Sequence, residues 1–261
     1  MGSLLASLCV LLVAAWPVRV ALDESGMVMI RARGFDVRLA SDLAAEPELC
    51  VRVFETLRSD LAMIESRVPA DAMAVVRERT TIWIELQGAS VPGGMSGRGM
   101  VFHPSPFWLR ANGLDPARAG GVEIVRARDY LAWREQQPMM ILHELAHAYH
   151  HLLGIESDDI GGAYATASAS GLYDAVRRSG LDERERVRAY ALSNATEYFA
   201  ELSEAFFGRN DFEPFDRGAL ERLDPAGSSV VKRVWMLDRA SILRRAADSV
   251  GASGRPEGDA E

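Results

Sequence analysis

The stretch MMILHELAHAYHHLLG, residues 139–154, constrains this chain more than any other part of it, because four of its five histidines fall between His143 and His151. The apolar positions Met140, Ile141, Leu142, Leu145 and Leu152 leave little room for anything but a buried helix. Pro138 stands where a helix opens, and Gly154 where one closes. Within that helix the order is His-Glu-x-x-His, at His143, Glu144 and His147. Residues i and i+4 share a helix face, about 6 Å apart along the axis. Two imidazoles so placed can meet one zinc ion at roughly 2.0–2.1 Å each. Glu144 is turned about 100° from His143, which sets it beside the ion, where a base can take a proton from water. His143 and His147 are therefore the expected metal ligands, Zn²⁺ the expected cofactor and Glu144 the expected general base.

Two histidines are one ligand short of a site. His150 and His151 lie seven and eight positions past His143, roughly 10–12 Å along the rod, too far for the same ion. The third ligand is sought in NATEYFAELSEAFFG, residues 194–208. There Glu197, Glu201 and Glu204 form one helical stripe among Phe199, Leu202, Phe206 and Phe207. Carboxylates turned toward an apolar side need a partner, because burying them alone is costly. Glu197 is the expected ligand. Glu201, one turn on, is expected to hold the outer nitrogen of a ligand histidine and fix its tautomer.

These two motifs resemble the gluzincin metallopeptidases, in which His-Glu-x-x-His is followed by a glutamate ligand on a second helix, here ~50 residues further on. The closer likeness is to the catalytic domain of anthrax lethal factor and the Pro-Pro endopeptidases, which carry Glu-Phe-Phe-Ala-Glu where residues 197–201 read EYFAE. The resemblance covers residues 121–208. It implies that Glu197 binds the metal, that Glu144 is the base, and that Tyr190, seven residues before the glutamate, stabilises the oxyanion. It also implies a zincin-like fold and a peptide or protein substrate. The expected activity is a zinc-dependent metallopeptidase using a zinc-activated water. The rival expectations are a zinc-binding or interaction domain without turnover at the cell exterior, and a zinc hydrolase of a non-peptide amide or ester.

The rest of the chain reads as strands first and helices after. Residues 27–39 read as two short strands about a turn at Gly34, 42–68 as a helix with Pro47 near its start, and 71–79 as a shorter one. Residues 80–86, 100–103 and 121–127 read as strands by their β-branched and aromatic content, with 121–127 a candidate sheet edge for an extended substrate. Residues 87–99 read as a Gly-rich loop. Further helices are expected over 163–179, over 182–207 with a break near Ser193 and Asn194, and from Pro225 to about 247. The fold class is therefore α+β, with a small, mainly antiparallel sheet and an active-site helix. His103 is read as structural.

Residues 4–16 are apolar and uncharged, too short for a span of roughly 20 residues, and fit the core of a secretory signal. The expected organisation is a signal over 1–21, one zincin-like domain over 22–247 and a disordered tail over 248–261. A secreted or periplasmic location follows, with no membrane span after signal removal. Cys9 and Cys50 are the only cysteines, which excludes a disulfide scaffold and a cysteine zinc knuckle. A net charge of −8 shows no basic stripe for nucleic acid.

Overall fold

The computed structural model describes residues 21–22, 26–88, 99–154 and 158–253. The expected signal segment, most of the Gly-rich loop and the last residues of the expected tail lie outside the described residues. The described residues fall into two compact units, one of residues up to 67 with 76–148, the other of 68–75 with 149 onward.

The first unit is built on a six-stranded sheet. Its strands are β1 (Ala21–Leu22), β2 (Val28–Ala32), β3 (Phe35–Leu39), β4 (Ile82–Ile84), β5 (Met100–Phe102) and β6 (Val122–Ile124), in the order β1-β2-β3-β4-β6-β5. Arg33 and Gly34 both have positive φ, 51° and 87°. Such a pair makes the tight two-residue loop whose twist matches its strands, and Ala32 pairs with Phe35 across it. The sheet is mixed rather than mainly antiparallel. β1–β2, β2–β3 and β5–β6 are antiparallel, whereas β3–β4 and β4–β6 are parallel. Helices intervene between β3 and β4, and a helical connection of that length returns the chain in the same direction. β4 and β6 are buried along their whole length, as central parallel strands are.

Helix α1 (Ser41–Ala44) is separate from α2 (Pro47–Glu65), so the expected helix over 42–68 is two. Pro47 disfavours helical geometry at the residue before it, and Glu46 sits at φ −109°, ψ 78°. α2 buries Leu49, Val53, Phe54, Leu57, Leu61 and Ile64, the positions its apolar periodicity marks. α3 (Ala70–Arg79) follows. Two helices absent from the sequence reading flank β6: α4 (Pro106–Ala111), capped by Ser105, and α5 (Ala127–Trp133). Tyr130 and Arg134 both bond the buried Asp60 of α2, at 2.6 Å and at 2.5–3.0 Å, which ties α5 down.

α6 (Met140–Leu153) ends at Gly154, whose φ is 85°. Its early turns belong to the first unit and its turns from Tyr149 on to the second.

The second unit is helical. α7 (Asp158–Ser170) starts earlier than the expected 163–179 helix, and it stops earlier because Gly171 turns the chain at φ 72°. Residues 182–189 are not helical; a 3-10 turn, Tyr190–Leu192, precedes α8 (Ala195–Phe207). α9 (Arg217–Leu223), α10 (Pro225–Trp235) and α11 (Arg239–Ser253) follow, so the single expected last helix is two, and the second runs beyond residue 247. Tyr149 stacks on Trp235 with ring centroids 4.4 Å apart, and Trp235 stacks on Phe199 at 5.8 Å. That aromatic column joins the end of α6, α8 and α10. No helix among the described residues is long and apolar enough to cross a membrane.

Candidate metal centre

The early turns of α6 place the histidine motif in the first unit. His143 and Glu144 are buried and His147 is half-buried. The two imidazoles stand edge to face, with centroids 4.8 Å apart, as i and i+4 side chains on one face do. Leu142, Leu145 and Ala146 are fully buried around them, which holds the helix at a fixed rotation.

Glu144 is anchored by the sheet. Its Oε2 accepts a 2.8 Å hydrogen bond from the amide of Phe102 on β5. β5 lies at the edge of the sheet and β6 lies inside it, between β4 and β5. The expected edge strand, 121–127, is thus corrected to Met100–Phe102. The reason is chain order: the segment after the Gly-rich loop adds on the outside of β6 by antiparallel pairing. Val125 N donates to Gly99 O, His103 N to Gly121 O and Gly120 N to His103 O. Gly99 and His103 therefore face β6, and by alternation the Phe102 amide faces away from it, toward Glu144.

The second unit holds the acidic stripe. Asn194, extended at φ −169°, caps α8 by accepting from the amides of Thr196 and Glu197, at 3.0 and 2.9 Å. This cap fixes where the helix starts, and hence that Glu197 falls in its first turn. Glu197, Glu201 and Glu204 are 7%, 0% and 2% exposed, so the stripe is not a solvated face. Asn210, two residues past the end of the helix at Gly208, donates from Nδ2 to Glu201 Oε2 at 3.1 Å. His150 packs on the ring of Phe199 at 5.4 Å, in the place of a core residue. Burial lowers the pKa of His151. Tyr190 is half-buried and opens the 3-10 turn that packs beside α8; it is not on a helix, as the sequence reading had it.

Among the described residues, two groups of side chains offer ligand atoms within 4.8 Å of one another. One is His143, His147 and Glu197; the other is His143, Glu201 and Glu204. The first is the ligand set expected from sequence. Tetrahedral ligand atoms about 2.0–2.1 Å from zinc lie roughly 3.3 Å apart. Two imidazoles and one carboxylate suit zinc with one position left open. The second group brings in Glu204, which sequence reasoning placed on the stripe without a role; its spacing of three from Glu201 was the available signal. Asn210 and Phe102 were missed altogether, since no local pattern announces either.

A search of family models, of curated proteins and of solved structures finds no match to this chain.

Proposed function

We propose that this chain is a zinc-dependent hydrolase of peptide bonds, with His143, His147 and Glu197 as ligands and Glu144 as the general base. The observation that carries the reading is the approach of those three ligand atoms to within 4.8 Å, with Glu144 next to His143 on the same helix. The likeness of HELAH and EYFAE to gluzincin motifs points the same way.

Bound zinc would polarise the scissile carbonyl and lower the pKa of water toward about 7. The chain's own groups do the rest. Glu144 takes the proton from the attacking water and returns it to the leaving amine. With Oε2 engaged by the Phe102 amide, Oε1 is the oxygen that carries that proton. Glu201 orients His143, and Asn210 in turn holds Glu201. Tyr190 donates a hydrogen bond to the developing oxyanion. The outer side of β5 aligns an extended peptide by backbone hydrogen bonds.

Metal analysis of untagged protein, beside His147→Ala and Glu197→Ala, tests the reading. One zinc per chain, lost or sharply weakened in both variants, together with cleavage of members of a peptide library, is the expected result. A folded wild type that binds no zinc overturns it. Zinc without cleavage of any peptide leaves a zinc-binding domain, or a hydrolase of other amides and esters.

A further inference from the structure

β5 has three residues and, among the described residues, is paired on one side only, yet it holds the carboxylate of Glu144. A short edge strand bonded along one side is among the first parts of a sheet to open, so something must fix the amide of Phe102. The next residue supplies it. His103 is 1% exposed, and its Nε2 lies 2.7 Å from Glu123 Oε2 on β6. Glu123 Oε1 pairs with Arg118 Nη1 at 2.7 Å, and Arg118 Nη2 reaches Glu85 Oε1, just past β4, at 2.5 Å. The Arg118 guanidinium also lies 5.1 Å from the centre of the Trp83 ring. The Nδ1 of His103 meets no hydrogen-bonding group among the described residues, so Glu123 alone orients the ring through a polar contact. Gly88 leaves the space this requires: a Cβ there would stand 2.9 Å from Glu123 Oε1.

We propose that His103 is a positioning residue for Glu144, acting through Glu123 and Arg118 to pin the end of β5 and so to hold the Phe102 amide against the Glu144 carboxylate. The inference rests on the hydrolase reading for its consequence, since a base displaced by about 1 Å loses roughly 10²-fold in rate. The pinning itself is measurable without turnover. His103 does not touch substrate and is not a metal ligand; its contribution passes through the backbone of its neighbour.

The test is amide hydrogen exchange with parallel kinetics on the full chain, comparing wild type, His103→Ala, His103→Gln and Glu144→Ala. His103→Ala is expected to speed exchange at Phe102 about tenfold while leaving Val122, bonded to Thr81, unchanged. Glu144→Ala speeds the same amide by removing its acceptor. His103→Gln, which keeps a donor for Glu123, restores protection. With a peptide substrate, His103→Ala lowers kcat about 10–100-fold at unchanged zinc content and KM, and His103→Gln recovers most of the loss. Unchanged Phe102 exchange in His103→Ala overturns the proposal. So does a uniform rise at every sheet amide that His103→Gln fails to reverse. Failure of the hydrolase reading shows separately, as a wild type without zinc or turnover whose Phe102 amide still responds to His103→Ala.

Discussion

The hydroxyl of Tyr198 donates a 2.5 Å hydrogen bond to Oδ2 of Asp224, and Oδ1 of the same aspartate caps α10 by accepting from the amide of Gly227 at 2.8 Å. Tyr173 adds a third bond to the carboxylate at 3.0 Å. Tyr198 follows Glu197 directly, so this buried knot seats the first turn of α8. Burial first, and the adjoining carboxylate second, push the pKa of Tyr173 upward; the same burial, with the bond to Asp224, does so for Tyr198. Both hydroxyls are therefore donors throughout the ordinary pH range.

Gly227 tests how tightly that knot is packed. A Cβ there would lie 2.3 Å from the Tyr198 hydroxyl, 2.4 Å from Asp224 Oδ2 and 2.6 Å from a Leu202 methyl. Gly227→Ala is expected to destabilise the protein by about 1–3 kcal/mol through overpacking. Urea unfolding followed by circular dichroism checks it. A variant as stable as wild type would mean that the knot yields without cost.

Asn210→Ala removes the hydrogen bond from Asn210 Nδ2 to Glu201, both buried, along with the one that Asn210 Oδ1 accepts from the Asp211 amide. On the hydrolase reading, zinc affinity falls about 10–100-fold, whereas Asn210→Asp, which sets a second carboxylate beside the first, weakens it further. Competition with a fluorescent chelator reads the affinity directly. Equal affinity in all three proteins would remove Asn210 from the support of the site.

Glu144→Gln keeps the size of the side chain and the acceptor for Phe102 but cannot take a proton. It should retain one zinc per chain and lose peptide turnover by about 10²–10⁴-fold. Tyr190→Phe, with zinc again unchanged, is expected to lower kcat by about 10²–10³-fold through loss of an oxyanion donor. Loss of zinc from Glu144→Gln would assign that residue a structural role instead.

Stability at acid pH depends on Glu123. Burial raises its pKa, but the hydrogen bond to His103 and the charge of Arg118 outweigh burial and bring it below the ordinary value of 4.5. A carboxyl whose folded pKa is lowered contributes stability above its unfolded pKa and loses it as pH falls through the folded one. Denaturant melts from neutral pH to about pH 3 should show that loss in wild type. Glu123→Gln should be less stable at neutral pH, by about 3–5 kcal/mol for a broken buried pair, and should show a flatter acid limb.

The two halves of the candidate metal centre were legible because their logic is local. His143 and His147 share a face by helical spacing alone, Glu197 and Glu201 likewise; Asn194 starts its helix by side-chain capping and Gly154 closes its helix by positive φ, both properties of neighbouring residues. The β2–β3 hairpin was legible for the same reason, through Gly34. Pairing across the sheet is a different matter. Which strand lies at the edge depends on how segments some twenty residues apart in sequence choose partners, and three-residue strands carry no periodicity that would reveal it. Tertiary structure alone decided that β5, not β6, is the edge, that its Phe102 amide meets Glu144, that His103 meets Glu123, and that Asn210 folds back on Glu201. Each of these joins polar groups far apart along the chain, and their partners are chosen by the cost of burying them unpaired, which only the packed fold imposes.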